Sequence, residues 1–357
     1  MKIYIKFFTI IFLKSLLYVI SIMFSLIFIL NLLTELEFFK EIEVTASLPI
    51  FLSLLNSPSM LFEMLPFIFL ITTQLFFIKL FNNNEIEIFK YSGLKNTNIL
   101  KIFSLIAIIT GIILTIVFYN FSAVFKNFYL EKKTKFTSDS KYLAVITKNG
   151  LWIKDEVDEK IYIVNSSEIE SNFLINNFIT EFNQDYEVIR NLQSDKINIQ
   201  NKVWQAYDVK VYNKNNYERI KQLNIKTNFD YKRIQTLYSN LSSLSFIKLY
   251  ELRENYKKLN YSLTEINLQF FEILSFPLYL FLVALFSSLI MFRVKRLHNT
   301  TFKISLGLFF SVIIYYVNNF FMVMGSTERI SLILAIFIPL ISLTIINSLM
   351  LNKINEK

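Results

Sequence analysis

Cysteine is absent from the 357 residues, and histidine occurs once, at His298. That scarcity removes disulfides, thiolate nucleophiles, His- or Cys-rich metal sites and triads built on imidazole. Glycine and proline are sparse as well, at five each. Gly93, Gly111, Gly150, Gly307 and Gly325 nowhere stand five positions apart with Lys and Ser or Thr behind them. A P-loop that cradles nucleotide phosphate on backbone N–H groups is therefore excluded. Charged residues make up only 18% of the chain, against about a quarter in a typical soluble domain. No cluster in the sequence supports an enzyme.

What the chain has instead is apolar mass: 54% hydrophobic residues, 38 of them Phe, and a mean hydropathy of +0.43. Six runs are long enough to cross a bilayer, which takes about 20 mainly apolar residues. They fall at Ser15–Leu33, Met64–Phe81, Ile102–Phe125, Phe270–Phe292, Ile304–Met324 and Ile330–Leu351. The first is too long for the apolar segment of a secretory signal, and no small-x-small cleavage site follows it, so it reads as a retained anchor.

The net charge of +9 has a topological explanation. Lys2 and Lys6 precede the first run, while Lys90, Lys95 and Lys101 lie around the second connection. Arg293, Lys295, Arg296 and Lys303 fill the fourth connection, and Lys353 and Lys357 follow the last run. The alternate connections are acidic (Glu35, Glu37, Glu41 and Glu43 against Lys40) or short (Gly325–Arg329). Basic residues collect in cytoplasmic loops, so both termini are expected in the cytoplasm. No nucleic-acid partner is needed to account for the charge, and His298 sits in a basic loop with no role assigned.

Composition shifts abruptly over residues 126–268, where Asn, Lys, Asp, Glu and Tyr rise and no spanning run survives. Alternation over Tyr142–Thr147, Gly150–Asp155, Lys160–Asn165, Glu187–Leu192, Lys196–Gln200, Lys202–Asn213 and Arg219–Lys226 predicts short strands of a β-sandwich or jelly roll. Asn149-Gly150 predicts a hairpin turn, since both residues tolerate positive φ. A helix over about Ser245–Leu259 leads back to the membrane, with Glu251/Asn255 and Glu254/Lys258 at i,i+4. The chain thus reads as an α+β integral membrane protein: spans one to three in 1–125, a β domain in 126–268, and spans four to six in 269–357.

Between the second and third runs, Asn82–Gly93 predicts a short helix on the cytoplasmic face. Asn84 is an expected N-cap, Glu87 completes a capping box, Glu85 and Glu87 complement the helix dipole, and Gly93 suits the C′ position. Ile86, Phe89, Lys90 and Gly93 share one face, at i, i+3, i+4 and i+7. Such a face either rests on lipid or forms a rigid knob that seats in a cytoplasmic ATPase.

These residues resemble a known family. Glu85-Ile86-x-x-Phe89-Lys90-x-x-Gly93 is similar to the E-L-x-x-L-R-x-x-G coupling segment of the LptF/LptG permeases, which export lipopolysaccharide. Gly150-Leu151-Trp152-Ile153-Lys154-Asp155, with Lys160–Ile163 behind it, resembles the opening of the periplasmic domain of the LptG branch, and Lys202-Val203-Trp204 a later strand. Pro66, Pro277 and Pro339 fall where the family has prolines. The resemblance runs in order along nearly the whole chain and implies a six-span (3+3) permease with an inserted periplasmic β-jellyroll. It implies a heterodimer with an LptF-like permease, an LptB-like ATPase dimer beneath, and LptC/LptA-like periplasmic bridge proteins that receive the lipopolysaccharide. Membrane lipids complete the partners, and no cofactor or metal is implied.

One departure bears on the cargo. The family carries basic residues at the outer end of the first span, facing lipid A phosphates, where this chain has Asn31 and Glu37 with Lys40 the nearest cation. A permease for another lipid or lipoprotein, or a membrane-anchored scaffold without transport, therefore stay open as alternatives. Among polar residues in the spans, Gln74, Asn120 and Glu272 are costly in lipid. Glu272 is expected to reach water at the edge of its span. Asn318 and Asn319, with the neighbouring Phe320, are expected to face a substrate cavity or the second permease, and the many Phe side chains supply apolar lining.

Overall fold

The computed structural model describes residues 3–133, 136, 143–147, 150–170, 172–213, 216–231, 234, 241–258, 262–294 and 299–355. Asn149, Lys295, Arg296 and His298, with Lys2 and Lys357, lie outside that set. The chain divides into two compact units, one of residues 1–129 with 267–357 and the other of residues 130–266.

The first unit is helical. It comprises α1 (Ile3–Phe38), α2 (Ser47–Glu63), α3 (Leu65–Asn82), α4 (Glu85–Tyr91) and α5 (Asn96–Ile113), the last running through a π turn (Leu114–Phe118) into α6 (Tyr119–Lys133). After the second unit and its α7 (Phe246–Lys258) come α8 (Thr264–Arg293), α9 (Thr300–Ser326) and α10 (Leu332–Asn355). Among the described residues, six helices are long and apolar enough to cross a membrane: α1, α3, the continuous α5–α6 rod, α8, α9 and α10. Each contains one of the six apolar runs or matches it to within two residues at its start, and most extend beyond it, because flanking residues continue the backbone ladder past the apolar stretch.

Helix α2 has no counterpart in the sequence reading. Its segment SLPIFLSLLNSPSMLFE mixes Ser, Asn and two prolines into the apolar pattern, yet Ser53, Asn56, Ser57 and Pro58 are buried, and α2 packs along α1. Some of the Phe residues pack inside the helical unit. Phe8, Phe12, Phe69, Phe76, Phe77 and Phe103 are fully buried and meet largely edge to face, with centroids 5.0–6.1 Å apart. Such offset pairs add to the burial of large rings, so these Phe build the core of the helical unit.

The second unit holds one seven-stranded antiparallel sheet: β1 (Leu143–Thr147), β2 (Gly150–Val157), β3 (Lys160–Glu170), β4 (Phe173–Phe182), β5 (Val188–Asn198), β6 (Val203–Asn213) and β7 (Asn216–Lys226). Every strand pairs with its neighbours in sequence, so the order is an up-and-down meander. A jelly roll in the strict sense needs Greek-key crossovers, which the described strands do not make. Two further differences concern strand limits: β4 was not anticipated, and the two strands expected over 187–200 are the single β5. In β4 the apolar residues Leu174, Ile175, Phe178, Ile179 and Phe182 are spaced as on a helix, which hides the strand.

The irregular spacing has a structural cause. Strand register places Gly150, Ser167, Asn176, Asp195, Asp208 and Lys221 in one line across six strands. Three of them have positive φ: Gly150 at 106°, Asn176 at 53° and Asp208 at 52°. Across this line the inward positions change parity, from Leu174 to Asn177 in β4, Ser194 to Ile197 in β5 and Ala206 to Val209 in β6. A regular strand keeps one parity per face, so the line is a crease. Buried polar side chains satisfy the backbone there: Asn177 Nδ2 donates to the carbonyls of Leu174 (2.9 Å) and Ser194 (3.2 Å), and Ser194 Oγ to those of Lys196 (2.9 Å) and Tyr207 (2.6 Å).

Candidate functional site

Helix α4 forms where the sequence places it, but its start differs from the expected cap. Asn84 adopts a left-handed conformation (φ 56°) with no side-chain capping bond, so the Asn84/Glu87 capping box does not form. Glu85 instead accepts from Asn83 Nδ2 at 3.1 Å. The end is as anticipated. Gly93 has φ +87°, its N–H donates to Lys90 O (2.9 Å), and Leu94 N–H donates to Phe89 O (3.0 Å). That pair of bonds is a Schellman stop, which holds the last turn rigid.

The orientation of α4 reverses the reading of its apolar face. Ile86 is 1% exposed, and Phe89 packs on Phe7 and Phe8 of α1 at ring-centroid distances of 5.9 and 5.0 Å. Both side chains thus fasten α4 to its own chain. Facing outward are Glu87, Ile88, Lys90 and Tyr91, with Ile88 57% and Tyr91 91% exposed. An isoleucine and a tyrosine thus stand exposed on this seven-residue helix, off the i, i+3, i+4 stripe on which the sequence reading rests.

At the other end of α1, Asn31 is buried rather than open. Its amide donates to Ser57 Oγ (3.3 Å), and its Oδ1 accepts from Asn56 Nδ2 (3.1 Å), both on α2. Lys126 of α6 donates to Asn56 Oδ1 at 2.7 Å, and Tyr129 OH donates to the buried Glu35 at 2.8 Å. Asn31 and Glu35, one turn apart, are thereby tied through α2 and α6, with Asn31, Asn56 and one oxygen of Glu35 each finding a hydrogen-bond partner as burial demands. The cation in this network is Lys126, which the sequence reading did not single out, while Lys40 is exposed.

The opposite stripe of α1 is uncovered: Leu26, Ile29, Leu30, Leu33 and Leu36 are 49–61% exposed. Helix α9 has a comparable stripe in Phe309, Ile313, Tyr316, Phe320 and Val323, with Asn319 also exposed and Asn318 half-buried. Of the remaining span polars, Gln74 is fully buried and donates to Lys303 O at 3.1 Å, filling the notch left by Gly307. Asn120 donates to Ile116 O of its own helix, and Glu272 is half-buried.

The marked residues of the sheet separate into structure and surface. Gly150 is required by backbone geometry, since a Cβ there would lie 2.2 Å from Ser166 O. Trp204 is 1% exposed and its indole N–H donates to Phe229 O at 2.8 Å. Trp152 is 42% exposed. Asp155, within the same string as Gly150 and Trp152, is buried and accepts from Thr227 and Asn228. Glu181 is fully buried between Lys160 (2.7 Å) and Arg190 (2.6 Å). Burial pushes its carboxyl up, but the two cations outweigh that and hold it below the usual carboxylate range.

Two comparisons with known proteins bear on these features. The family model described as Lipopolysaccharide export system permease LptF/LptG matches residues 7–353. A search of curated proteins returns no match.

Proposed function

This chain belongs to the LptF/LptG family of lipopolysaccharide export permeases, and we propose that it is the LptG-type half of an ABC transporter that lifts lipopolysaccharide out of the inner membrane. The family match along 7–353 supports the lipopolysaccharide-permease part of this reading, and the Gly150–Asp155 string supports the LptG branch. Drawing one acyl chain of a dozen methylenes into water costs on the order of 10 kcal/mol, at about 0.8 kcal/mol per CH₂. The work needs an external source, and the sequence has no P-loop of its own, so an LptB-like ATPase dimer is the expected engine.

In this reading both termini and α4 face the cytoplasm, and α4 is the lever. The Schellman stop and the Phe7–Phe8–Phe89 stack make it rigid, and the ATPase grips Glu87, Ile88, Lys90 and Tyr91. Glu85, Ile86, Phe89 and Gly93 set its pose. The open stripes of α1 and α9 line the cargo cavity and the contact with an LptF-like partner, with Asn319 and Phe320 on the cavity side and Asn318 at its margin. Asn31 shapes that wall by fixing α1 to α2, and Lys40 and Lys126 supply positive charge toward the headgroup. The β sheet is the periplasmic, jellyroll-like segment that hands the lipid to LptC/LptA-like bridge proteins toward the outer membrane.

Ile88→Asp and Tyr91→Ala in the native complex test this. Loss of the copurifying ATPase with the permease still folded is expected, and its undiminished retention overturns the coupling assignment. Photocrosslinking from Phe320 and Leu33 reads the cargo: lipopolysaccharide adducts are expected, whereas adducts only with phospholipid or lipoprotein defeat the substrate assignment.

A further inference from the structure

Helices α5, α8 and α10 enclose a cleft of about 320 Å³, open along one side and lined by Thr97, Lys101, Ser104, Ile108, Leu285 and Leu351. The volume falls at the lower end of the range for small-molecule sites, roughly 300–1,000 Å³. Its lining is graded. Thr97, Lys101 and Ser104 come from the first turns of α5, at i, i+4 and i+7, and form a polar ladder with the exposed Lys101 in its middle. One turn further on, Leu105 and Ile108 continue the stripe without a polar atom, and Leu285 and Leu351 close it from the facing helices.

We propose that this cleft is a resident binding site for one anionic phospholipid, with the phosphate at Lys101 and Thr97, the glycerol esters beside Ser104 and an acyl chain along Ile108, Leu285 and Leu351. The charge decides the ligand class. Lys101 follows Lys90 and Lys95 in sequence, and among the described residues no acidic side chain lines the cleft. A zwitterionic headgroup would bring its own cation to the same place. One wall of the cleft is α5, which starts three residues after the Gly93 that terminates α4.

The site requires only that these helices lie in a bilayer, and it does not depend on what the protein exports. Native mass spectrometry of the full chain, released from mixed micelles of phosphatidylglycerol and phosphatidylethanolamine, reads it directly. One phosphatidylglycerol is expected to be retained in preference to phosphatidylethanolamine. Lys101→Gln weakens that retention about five-fold, the effect of one lysine near an anionic lipid, and Lys101→Arg preserves it. Ser104→Trp fills the cleft and removes retention without altering charge. Unchanged retention in both Lys101→Gln and Ser104→Trp, or equal retention of the two lipids, overturns the proposal. Lys101 is exposed, so its replacement leaves the core intact.

Discussion

Asp155 in β2 accepts a 2.6 Å hydrogen bond from the hydroxyl of Thr227, the residue just past β7. The same carboxylate accepts from the backbone N–H (2.8 Å) and side-chain amide (2.9 Å) of Asn228, and Lys226 reaches Asp158 at 3.2 Å. The second and seventh strands of an open meander are thereby joined at one end. Phe229 follows immediately and takes the indole N–H of Trp204, so the clasp also shuts the apolar interior.

Asp155→Ala takes the acceptor from three donors, the buried Thr227 hydroxyl and two groups of the half-buried Asn228, and is expected to destabilise the sheet by about 3 kcal/mol, the scale of a charged hydrogen bond left unmade. Fluorescence of Trp204 in a Trp152→Phe background reports it, with red-shifted emission at lower denaturant. An unchanged midpoint contradicts the clasp.

Gly150→Ala tests the crease. The new methyl meets Ser166 O at 2.2 Å and holds a φ of 106°, which costs about 3 kcal/mol in strain. The matched control Gly93→Ala meets no atom within 4 Å and carries only the conformational cost of φ +87°, so it should be the milder change in a thermal melt.

The Glu181 carboxyl has a folded pKa below its ordinary value of 4.5. The unfolded chain therefore binds more protons between the two values, and the stabilisation, complete above about pH 4.5, is lost as the pH falls through the folded pKa. Glu181→Gln should be less stable at neutral pH and show a flatter decline in acid. Identical acid profiles for the two proteins would show that the Lys160 and Arg190 pairs contribute nothing.

In the helical unit, Gly307→Val drives a side chain into the space held by Gln74, whose Nε2 would lie 1.8 Å from even a Cβ. Separation of α9 from α3 and loss of the bond to Lys303 O should cost about 1–3 kcal/mol, as overpacking does. A lower melting temperature in detergent checks it.

The two isoleucines of α4 give a paired prediction. Ile86→Asp buries a carboxylate at a site that is 1% exposed and should lower the yield of folded protein. Ile88→Asp, on an exposed position, should leave the melting temperature within error and abolish only partner copurification. If Ile86→Asp folds normally, the inward face is misassigned.

The sequence alone determined the six apolar helices, the short helix over residues 85–91 with its Gly93 stop, and most strands, because each follows from composition or periodicity within a few turns of chain. Tertiary structure decided whatever depends on which neighbours arrive. It turned Ile86 and Phe89 inward onto Phe7 and Phe8. It drew Asn31 into a network with Asn56 and Lys126, up to 95 positions away in sequence, through a helix whose prolines and serines masked it. It also set the crease that shifts strand parity at Asn176 and Asp208. Periodicity reports that a segment has an apolar face. Only packing, where desolvated polar groups must find partners and rings must interlock, determines what that face meets.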